Sequence, residues 1–282
     1  MVLFIFILVL DKDGERNFVT SFDRSLIGVI NIDGVISSAD EHLEAIEEML
    51  MNDRVKGVIL RVNSPGGVVV PTYEVFQGLK RLSEKKAMYV SMGTIAASGG
   101  YWVSLAGDKI YANPGTITGS IGVIAENVGV KGLIDKIGLK MRILKSGVNK
   151  DIGSPFRPIH PAEKELLQGV LDDLHQVFIS SVLENRNLDV ANYDNLFDGR
   201  VFTGNQAKAV GLIDEISDYY GVLQDIKIDL NLPDAKEYVF LKTKDDGLFG
   251  FFFGNGMVDL MNNFLIESKH MAGAVFWSIY GY

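Results

Sequence analysis

The sequence predicts an α/β domain whose sheet is mainly parallel, and two observations lead to this class. Short apolar segments alternate with longer segments of helical periodicity from Leu26 onward. Strands that are joined through helices pair in parallel, because each connecting helix packs back onto the same sheet. In addition, hydrophobic residues make up 47% of the 282 residues and charged residues 22%, so the chain has ample material for a buried core.

The first part of the chain supplies three strands and two helices. Runs of mostly apolar, often β-branched residues predict strands at 26–32, 57–62 and 87–92. Apolar residues three or four positions apart predict helices at 39–51 and 73–82.

The second part repeats the pattern less regularly. Short apolar runs predict strands at 109–112, 121–125 and 139–144, with a helix at 130–137. Residues 145–160 are rich in Gly, Asn, Asp, Ser and Pro without a hydrophobic period, so they form a predicted loop. The longest predicted helix covers 161–187, with an apolar stripe of Leu167, Val170, Leu171, Leu174 and Phe178. Thr203 is the predicted N-cap of a short helix that Gly211 ends.

Both ends of the chain differ from this pattern. Residues 1–10 are an unbroken apolar run, half of the roughly 20 residues that a membrane-spanning helix needs, and no basic stretch precedes it. We expect it to be the end of a membrane anchor whose first part precedes this sequence, and the alternative is a core strand or helix. Residues 247–282 are rich in Phe, Met and Gly, with helical apolar spacing at 257–265, which suits an oligomer contact or a membrane-surface element.

Composition excludes several classes of function. Lys and Arg number 27 against 36 Asp and Glu, a net charge of −9, which disfavours binding to nucleic acid or to anionic lipid. The chain has no Cys and 4 His, so a disulfide framework, a zinc knuckle and a cysteine nucleophile are absent, and most metal sites lack ligands. We therefore expect no metal and no cofactor.

Two glycine-rich turns, each just after an apolar strand, carry the candidate chemistry. Residues 63–67 (NSPGG) combine a rigid Pro with paired Gly residues that leave backbone amides open to a ligand. Residues 96–101 (AASGGY) place Ser98 among small residues where a strand becomes a helix, as in a nucleophile elbow. Together they supply a hydroxyl nucleophile and two amides for an oxyanion, the minimum for acyl transfer.

A serine nucleophile needs a base, and the residues leave two types open. His160 is the one histidine in a predicted loop, and no acid is evidently placed to orient it. A lysine can serve instead, but its reference pKa is about 10.4, so it needs apolar surroundings, hydroxyl partners and no carboxylate contact. Lys145 and Lys150, both in the loop after the predicted strand 139–144, are the candidates.

Five motifs in this order resemble the signal peptide peptidase A family in its short, single-domain type: NSPGG at 63–67, ASGGY at 97–101, TGSIGV at 118–123, KSGVNKD at 145–151 and GRVFTG at 199–204. The similarity covers residues from about 26 to 225. It implies a ClpP/crotonase-like fold of repeated β-β-α units with a long C-terminal helical region. It also implies a membrane-bound serine endopeptidase with a Ser–Lys dyad.

The resemblance assigns roles to individual residues. Ser98 matches the nucleophile and Lys150 the general base, whereas Lys145 does not match. Gly67 and Gly99 match the two oxyanion-hole amides, and Ser120 the hydroxyl that orients the lysine. We expect the neighbouring Asp151 to point away from the lysine amine, towards solvent or a loop amide.

The resemblance also implies an organisation and a setting. Residues 1–25 are then a partial anchor and linker, 26–228 the peptidase domain, and 229–282 an aromatic tail of unassigned role. The expected substrates are cleaved signal peptides and other apolar peptides. The expected partners are the membrane and further copies of the chain in a ring, with the peptidase domain on the extracytoplasmic side. Ser98 and Lys150 then come from distant segments of one chain or from neighbouring subunits.

Three alternatives use similar folds. A crotonase-type acyl-CoA enzyme would need a carboxylate beside the oxyanion hole. A catalytically silent scaffold for membrane proteins has no need to keep both Ser98 and Lys150. A ClpP-like cytosolic protease would need a His soon after Ser98, and none occurs before His160.

Overall fold

The computed structural model describes residues 25–188 and 195–240. The predicted anchor run at 1–10 and the predicted aromatic tail at 247–282 lie outside the described residues.

Strands and helices alternate along the described chain. The strands are β1 (Leu26–Ile36), β2 (Val55–Gly67), β3 (Ala87–Ala97), β4 (Lys109–Ala112), β5 (Ile117–Gly119), β6 (Val201–Thr203), β7 (Glu215–Ile216) and β8 (Lys236–Val239). The helices are α1 (Asp40–Met51), α2 (Val69–Ser83), α3 (Gly99–Ser104), α4 (Lys131–Lys136), α5 (Pro161–Asn185), α6 (Gly204–Ala209) and α7 (Tyr219–Asp229).

The strands form one sheet with the order β6-β5-β3-β2-β1-β8, and β4 pairs with β3 and β7. Every pairing is parallel except that of β5 with β6. The predicted α/β class with a mainly parallel sheet is therefore confirmed. The sheet also continues to Val239 through the pairing of β8 with β1.

The long strand β3 divides the sheet into two branches. Its first half, at Tyr89–Ser91, pairs with β4, and its second half, at Ile95–Ala97, pairs with β5. Between the halves the register with β2 shifts, so that Val62 faces Met92 while Ser64 faces Ala96. A bulge of this kind bends a strand and ends regular pairing, which opens the sheet at this point.

Apolar side chains cover both faces of the sheet. The larger buried cluster joins the sheet to α1, α2 and α3, and includes Ile46, Leu79, Trp102 and Phe178. The second cluster, on α7, includes Ile226 and the strand residues Ile27, Ile59, Tyr89 and Tyr111. Burial on both faces explains why the central strands read as continuous apolar runs.

Two predicted strands are wrong. The segments 121–125 and 139–144 contain no strand, and β5 lies instead at Ile117–Gly119. Ile121 is buried, but Ile124 is 80% exposed and Leu144 is 100% exposed. An apolar run forms a strand only when a neighbouring strand accepts its backbone hydrogen bonds, and no described strand lies beside these segments.

The long helix α5 confirms the predicted helix at 161–187 to within two residues, but its apolar stripe is only partly covered. Phe178 is buried, whereas Val170 is 56% exposed. The Thr203 N-cap is confirmed, because its hydroxyl accepts from the Gln206 N–H at 3.3 Å. In residues 25–188 and 195–240, no helix combines the length and the apolar character that crossing a membrane requires.

Candidate active site

Three adjacent strands end at the same edge of the sheet, and each end carries a predicted site residue. Strand β2 ends at Gly67, β3 is followed by Ser98, and β5 is followed by Ser120. Since β2, β3 and β5 run parallel, their carboxyl ends meet. Ligand sites of open α/β sheets lie at these ends.

Ser98 sits in a strained turn between β3 and α3. Its backbone has φ 53° and ψ −121°, outside the regions that L-residues ordinarily adopt. The Ser98 N–H donates to the Gly119 carbonyl at 2.8 Å, and the Trp102 N–H donates to the Ser98 carbonyl at 2.9 Å. These bonds hold the turn from both sides, and the half-buried side chain lies at the start of a helix. Such strain persists only where the surroundings hold it.

The two glycine-rich turns contact each other through their backbones. Gly66 has φ +106°, and a Cβ there would lie 2.7 Å from the Gly99 backbone nitrogen and 2.9 Å from Ser98 Cβ. A Cβ on Gly99 would lie 3.1 Å from the Gly67 backbone nitrogen. Glycine is therefore required at both positions. The close approach brings the amides of Gly67 and Gly99 side by side next to Ser98, which suits an oxyanion hole.

Side chains satisfy the backbone groups that the β3 bulge leaves unpaired. Asn63 Oδ1 accepts from the Thr94 N–H at 3.1 Å and the Ile95 N–H at 3.4 Å. The Thr116 and Thr118 hydroxyls donate to the carbonyls of Gly93 and Ala96, both at 2.7 Å. The bulge is thus a fixed feature, and it sets the direction in which the chain enters the Ser98 turn.

Ser120, like Ser98, has a positive φ. Its φ is also 53°, and its N–H donates to the Arg200 carbonyl at 2.8 Å. A cavity of about 280 Å³ joins the two serines with Gly67 and Gly99. Four of the five predicted site residues therefore lie around one cavity. Its remaining walls are mainly apolar: Val69, Trp102, Val123, Ile124 and Phe178.

The structure does not bring Lys150 to this cavity. No residue of the 145–160 loop is among those described as lining it, and Lys150 is exposed. His160, the histidine candidate, is also exposed, at the start of α5. The backbone N–H of Lys150 donates to the Gly147 carbonyl at 3.1 Å, which makes a tight turn.

An ion-pair cluster around Arg157 distinguishes the two lysine candidates. The Asp151 carboxylate accepts from Arg157 Nε at 2.8 Å and from Lys145 Nζ at 2.5 Å. Asp151 thus faces cationic side chains, rather than the solvent or loop amide that we expected. Because Lys145 carries a carboxylate contact, it fits the requirements for a lysine base less well than Lys150.

The same cluster joins the loop to α5. Arg157 Nη1 donates to Glu163 at 2.8 Å, and the His160 N–H donates to Glu163 at 2.9 Å. Hydrogen bonds from Arg157 and then Lys145 hold the pKa of Asp151 well below its usual range. Those from Arg157 and the His160 N–H lower the pKa of Glu163 to about 2.

Sequence reasoning missed three residues of the cavity wall as site residues. Thr72 lies in the first turn of α2, where no motif marks it, and Trp102 follows Ser98 by one helical turn. Phe178 was expected to pack as part of the α5 stripe, and its ring stacks on Trp102 at 4.4 Å between centroids. The sequence of the α5 stripe predicts that Phe178 is buried, but it does not show that Phe178 lies beside the Ser98 turn.

The arrangement provides a half-buried hydroxyl, two adjacent amides and an apolar cavity, which together suit acyl transfer. Within the described ranges, no group of three His, Asp or Glu side chains is placed to hold a metal ion.

Comparison with known proteins gives four findings. The model of peptidase family S49 matches residues 80–232. The "Putative protease slr0021" of Synechocystis sp. is 39% identical over 198 residues, which cover 68% of this chain and 70% of that protein. The "Putative signal peptide peptidase SppA" of Enterococcus faecium is 33% identical over 218 residues, covering 77% of this chain and 63% of that protein. A solved structure of a mutant 1510-N membrane-bound stomatin-specific protease has a TM-score of 0.48 and 16% identity, covering 78% of this chain and 99% of that one.

The resemblance inferred from the five motifs is therefore confirmed at the level of the family. The match includes Ser98, Ser120 and Lys150. This chain belongs to peptidase family S49 and is a serine peptidase.

Proposed function

We propose that this chain is a membrane-associated serine endopeptidase in which Ser98 is the nucleophile and Lys150 the general base. The observation that supports this most is the contact of the two glycine-rich turns, with Gly67 and Gly99 beside the strained Ser98. A hydroxyl held next to two neighbouring amides suits attack on a carbonyl whose oxygen the amides stabilise.

In the proposed reaction, the neutral Lys150 amine accepts the Ser98 hydroxyl proton while Ser98 Oγ bonds to the peptide carbonyl carbon. The Gly67 and Gly99 N–H groups donate to the resulting oxyanion. The Lys150 ammonium then gives its proton to the leaving amine as the C–N bond breaks. A water molecule, losing a proton to Lys150, attacks the ester carbonyl, and Lys150 then returns that proton to Ser98 Oγ as the ester C–O bond breaks.

The test of the nucleophile compares Ser98→Ala with Ser83→Ala, a serine at the end of α2 whose hydroxyl donates to the Lys80 carbonyl. Ser98→Ala should abolish labelling by a fluorophosphonate probe and peptide hydrolysis, because the nucleophilic oxygen is gone. Ser83→Ala should keep both. Activity of Ser98→Ala within about tenfold of wild type would exclude Ser98 as the nucleophile.

The cavity composition favours this reaction over that of a crotonase-type enzyme. Such an enzyme needs a carboxylate beside the oxyanion hole, and the described residues that line the cavity include no charged side chain.

A second copy of the chain supplies Lys150 in our proposal. The segment before Lys150 exposes large apolar side chains: Ile124 is 80% exposed, Leu144 100% and Val148 82%. Monomeric proteins rarely expose contiguous apolar surface of this extent, and burial against another subunit would cover it. A neighbouring loop could then enter the cavity that its own chain does not reach.

Complementation tests this arrangement. Ser98→Ala and Lys150→Ala chains should each be inactive alone. If neighbouring copies share a site in a ring, each site needs Ser98 from one chain and Lys150 from the next. In an equal mixture, half of the chains carry Ser98, and half of the neighbours of those chains carry Lys150. Co-expression should therefore restore about a quarter of the sites. Co-expression that restores no activity would place both residues of the dyad in one chain. The double variant, co-expressed with either single variant, is the matched control.

For substrates, we propose signal peptides left after cleavage and other apolar peptides, bound in extended form along the strand ends near Gly66. The uncharged, mostly apolar cavity supports this class, as does the name of the Enterococcus faecium relative. Purified enzyme should cleave a signal peptide faster than a polar peptide of the same length. Equal rates would count against the class.

We propose that the chain is membrane-associated, which the apolar run at 1–10 supports. The family resemblance implies that the peptidase domain lies on the extracytoplasmic face. Cell fractionation of the natural protein should recover it with membranes. Protease added outside intact protoplasts should cleave it, and protection under those conditions would reverse the orientation.

A further inference from the structure

Two buried polar atoms in the cavity wall have no hydrogen-bond partner. They are the Thr72 hydroxyl oxygen and the Trp102 indole nitrogen, the two such side-chain atoms found within residues 25–188 and 195–240. Thr72 is 1% exposed and Trp102 2% exposed. A buried donor without a partner destabilises a fold, and those that persist in native structures require an explanation.

Both atoms belong to residues that line the same cavity. A Cβ built on Gly99 would lie 2.9 Å from Thr72 Oγ1, so the hydroxyl is next to the predicted oxyanion amides. Trp102 lies one helical turn after Ser98, and its ring is fixed by stacking on Phe178 and by an edge contact with Tyr73 at 5.9 Å. Both residues therefore border the cavity that also holds Ser98, Gly67 and Gly99.

The chemistry of the Thr72 hydroxyl and the Trp102 indole N–H determines which ligand groups could form hydrogen bonds with them. The indole N–H only donates, whereas the threonine hydroxyl both donates and accepts. A threonine in a helix has two accessible χ1 rotamers, so its hydroxyl can turn towards a ligand. A carboxylate or ammonium would lose its hydration without finding an opposite charge, because the described cavity wall carries none. An apolar side chain would leave both groups unpaired.

We propose that Thr72 and Trp102 select an uncharged hydrogen-bonding side chain (Ser, Thr, Asn or Gln) of the peptide, next to the bond that Ser98 attacks. This inference rests on the proposed function and narrows it. The peptide is apolar over most of its length, but its cleaved bond lies beside a residue with a hydroxyl or a carboxamide. The apolar walls hold the body of that side chain, and the two polar groups hold its end.

Matched peptides test the selection. Two pairs of quenched fluorescent peptides differ at one position, Thr against Val and Gln against Met, and each pair is nearly equal in size. The position is moved through the residues on either side of the cleaved bond. We expect the polar member to be cleaved about tenfold faster in kcat/KM at one of these positions, as when a buried donor gains its partner.

Thr72→Val replaces the hydroxyl with a methyl group of similar size, whereas Trp102→Phe removes the indole N–H together with one ring of the side chain. Thr72→Val should bring the Thr-to-Val ratio close to one, Trp102→Phe should do the same for Gln and Met, and Thr72→Ser should keep the wild-type Thr-to-Val preference. Tyr73→Phe is the control, since it removes a hydroxyl from the same turn of α2 at a residue that does not line the cavity. Its ratios should equal those of wild type.

Fluorophosphonate labelling of each variant separates the possible failures. If wild type and variants are labelled and cleave peptides but prefer Val and Met, or if Thr72→Val keeps the polar preference, the selection is refuted while the peptidase assignment stands. If wild type is neither labelled nor active on any peptide, the peptidase assignment fails, and the selection fails with it.

Discussion

The segments that carry the two proposed catalytic residues differ in how fully their own chain holds them. The Ser98 turn follows the central strand β3, and backbone hydrogen bonds fix it on both sides. The residues of the 145–160 loop from 145 to 150 are all exposed. The loop is held by short turns, by the ion pairs of Arg157 and by the hydrogen bond that the Val130 N–H donates to the Pro155 carbonyl at 2.8 Å.

This difference indicates that one half of the site is complete within the chain, whereas the other half depends on what covers it. The sheet positions the serine, the amides and the cavity, and all the contacts that hold the sheet come from the same chain. Lys150 needs apolar surroundings to act as a neutral base, and its own chain leaves it in solvent. The predictions below test this contrast, beginning with the largest expected effect.

The lysine pair gives the sharpest test of the exposed half. Lys150→Ala should lower kcat/KM by about a thousandfold, because general-base catalysis is lost. Lys145→Ala should keep most activity, since Lys145 is already paired with Asp151. Steady-state kinetics on one peptide substrate measure both. The reverse order would move the base to Lys145 and break the motif alignment.

Glycine substitutions compare the two regions directly. In Gly66→Ala, a methyl group would lie 2.7 Å from the Gly99 nitrogen at a φ of +106°. We expect a loss of about 1–3 kcal/mol in unfolding free energy, with activity reduced at least about a hundredfold.

Gly147→Ala is the matched variant in the lysine loop, where an added Cβ meets nothing within 4 Å. Its unfolding free energy should stay within about 0.5 kcal/mol of wild type in urea titrations. Equal losses in the two variants would remove the contrast between the regions.

Ser120→Ala tests the link between the two halves. If its hydroxyl orients the lysine from the cavity, kcat should fall about tenfold while KM changes little. Ser146→Ala, an exposed serine of the lysine loop, should leave both constants unchanged. A rise in KM with unchanged kcat would make Ser120 a substrate contact instead.

Acid should release the lysine loop before the Ser98 turn. Asp151 and Glu163 have lowered pKa values in the folded chain, so their stabilising effect is complete above about pH 4 and is lost as the pH falls towards the folded values. Pepsin should therefore cleave within 145–160 increasingly as the pH falls from about 4 to 2. Arg157→Ala, which lacks the cation, should be cleaved there at about pH 4 already. Cleavage that begins near Ser98 would show that the Ser98 turn, rather than the lysine loop, opens first in acid, and would contradict the expectation.

The elements that the sequence predicted correctly are those whose conformation is decided by residues close to them in the chain. The strands and helices from 26 to 112 follow from hydrophobic periodicity, and the Ser98 turn follows from its small residues, because each is decided by local propensity and burial. The strands at 121–125 and 139–144 were wrong because an apolar run has the same composition whether a strand or another subunit covers it. Loop composition alone left both Lys145 and Lys150 as candidates; the motif match favoured Lys150, and the carboxylate contact of Lys145 agrees with that choice.

Thr72 illustrates the limit for the site itself. Its hydroxyl approaches Gly99 because α2 begins directly after the Gly67 turn and folds back over α3. That approach depends on the packing of two helices, which no local motif encodes. A threonine in the first turn of a helix is otherwise common and uninformative.

The stacking of Trp102 on Phe178 gives the cavity an optical signal of its own. The chain contains 2 Trp, and the other is Trp277 in the C-terminal tail. In a Trp277→Phe variant, the fluorescence therefore comes from one indole, which lies in the cavity wall one helical turn from Ser98. An indole that stacks at 4° on a phenyl ring is sensitive to any group that enters beside it. Acyl-enzyme formation and release can then be followed in real time by stopped flow, with unlabelled peptides and at single-turnover concentrations.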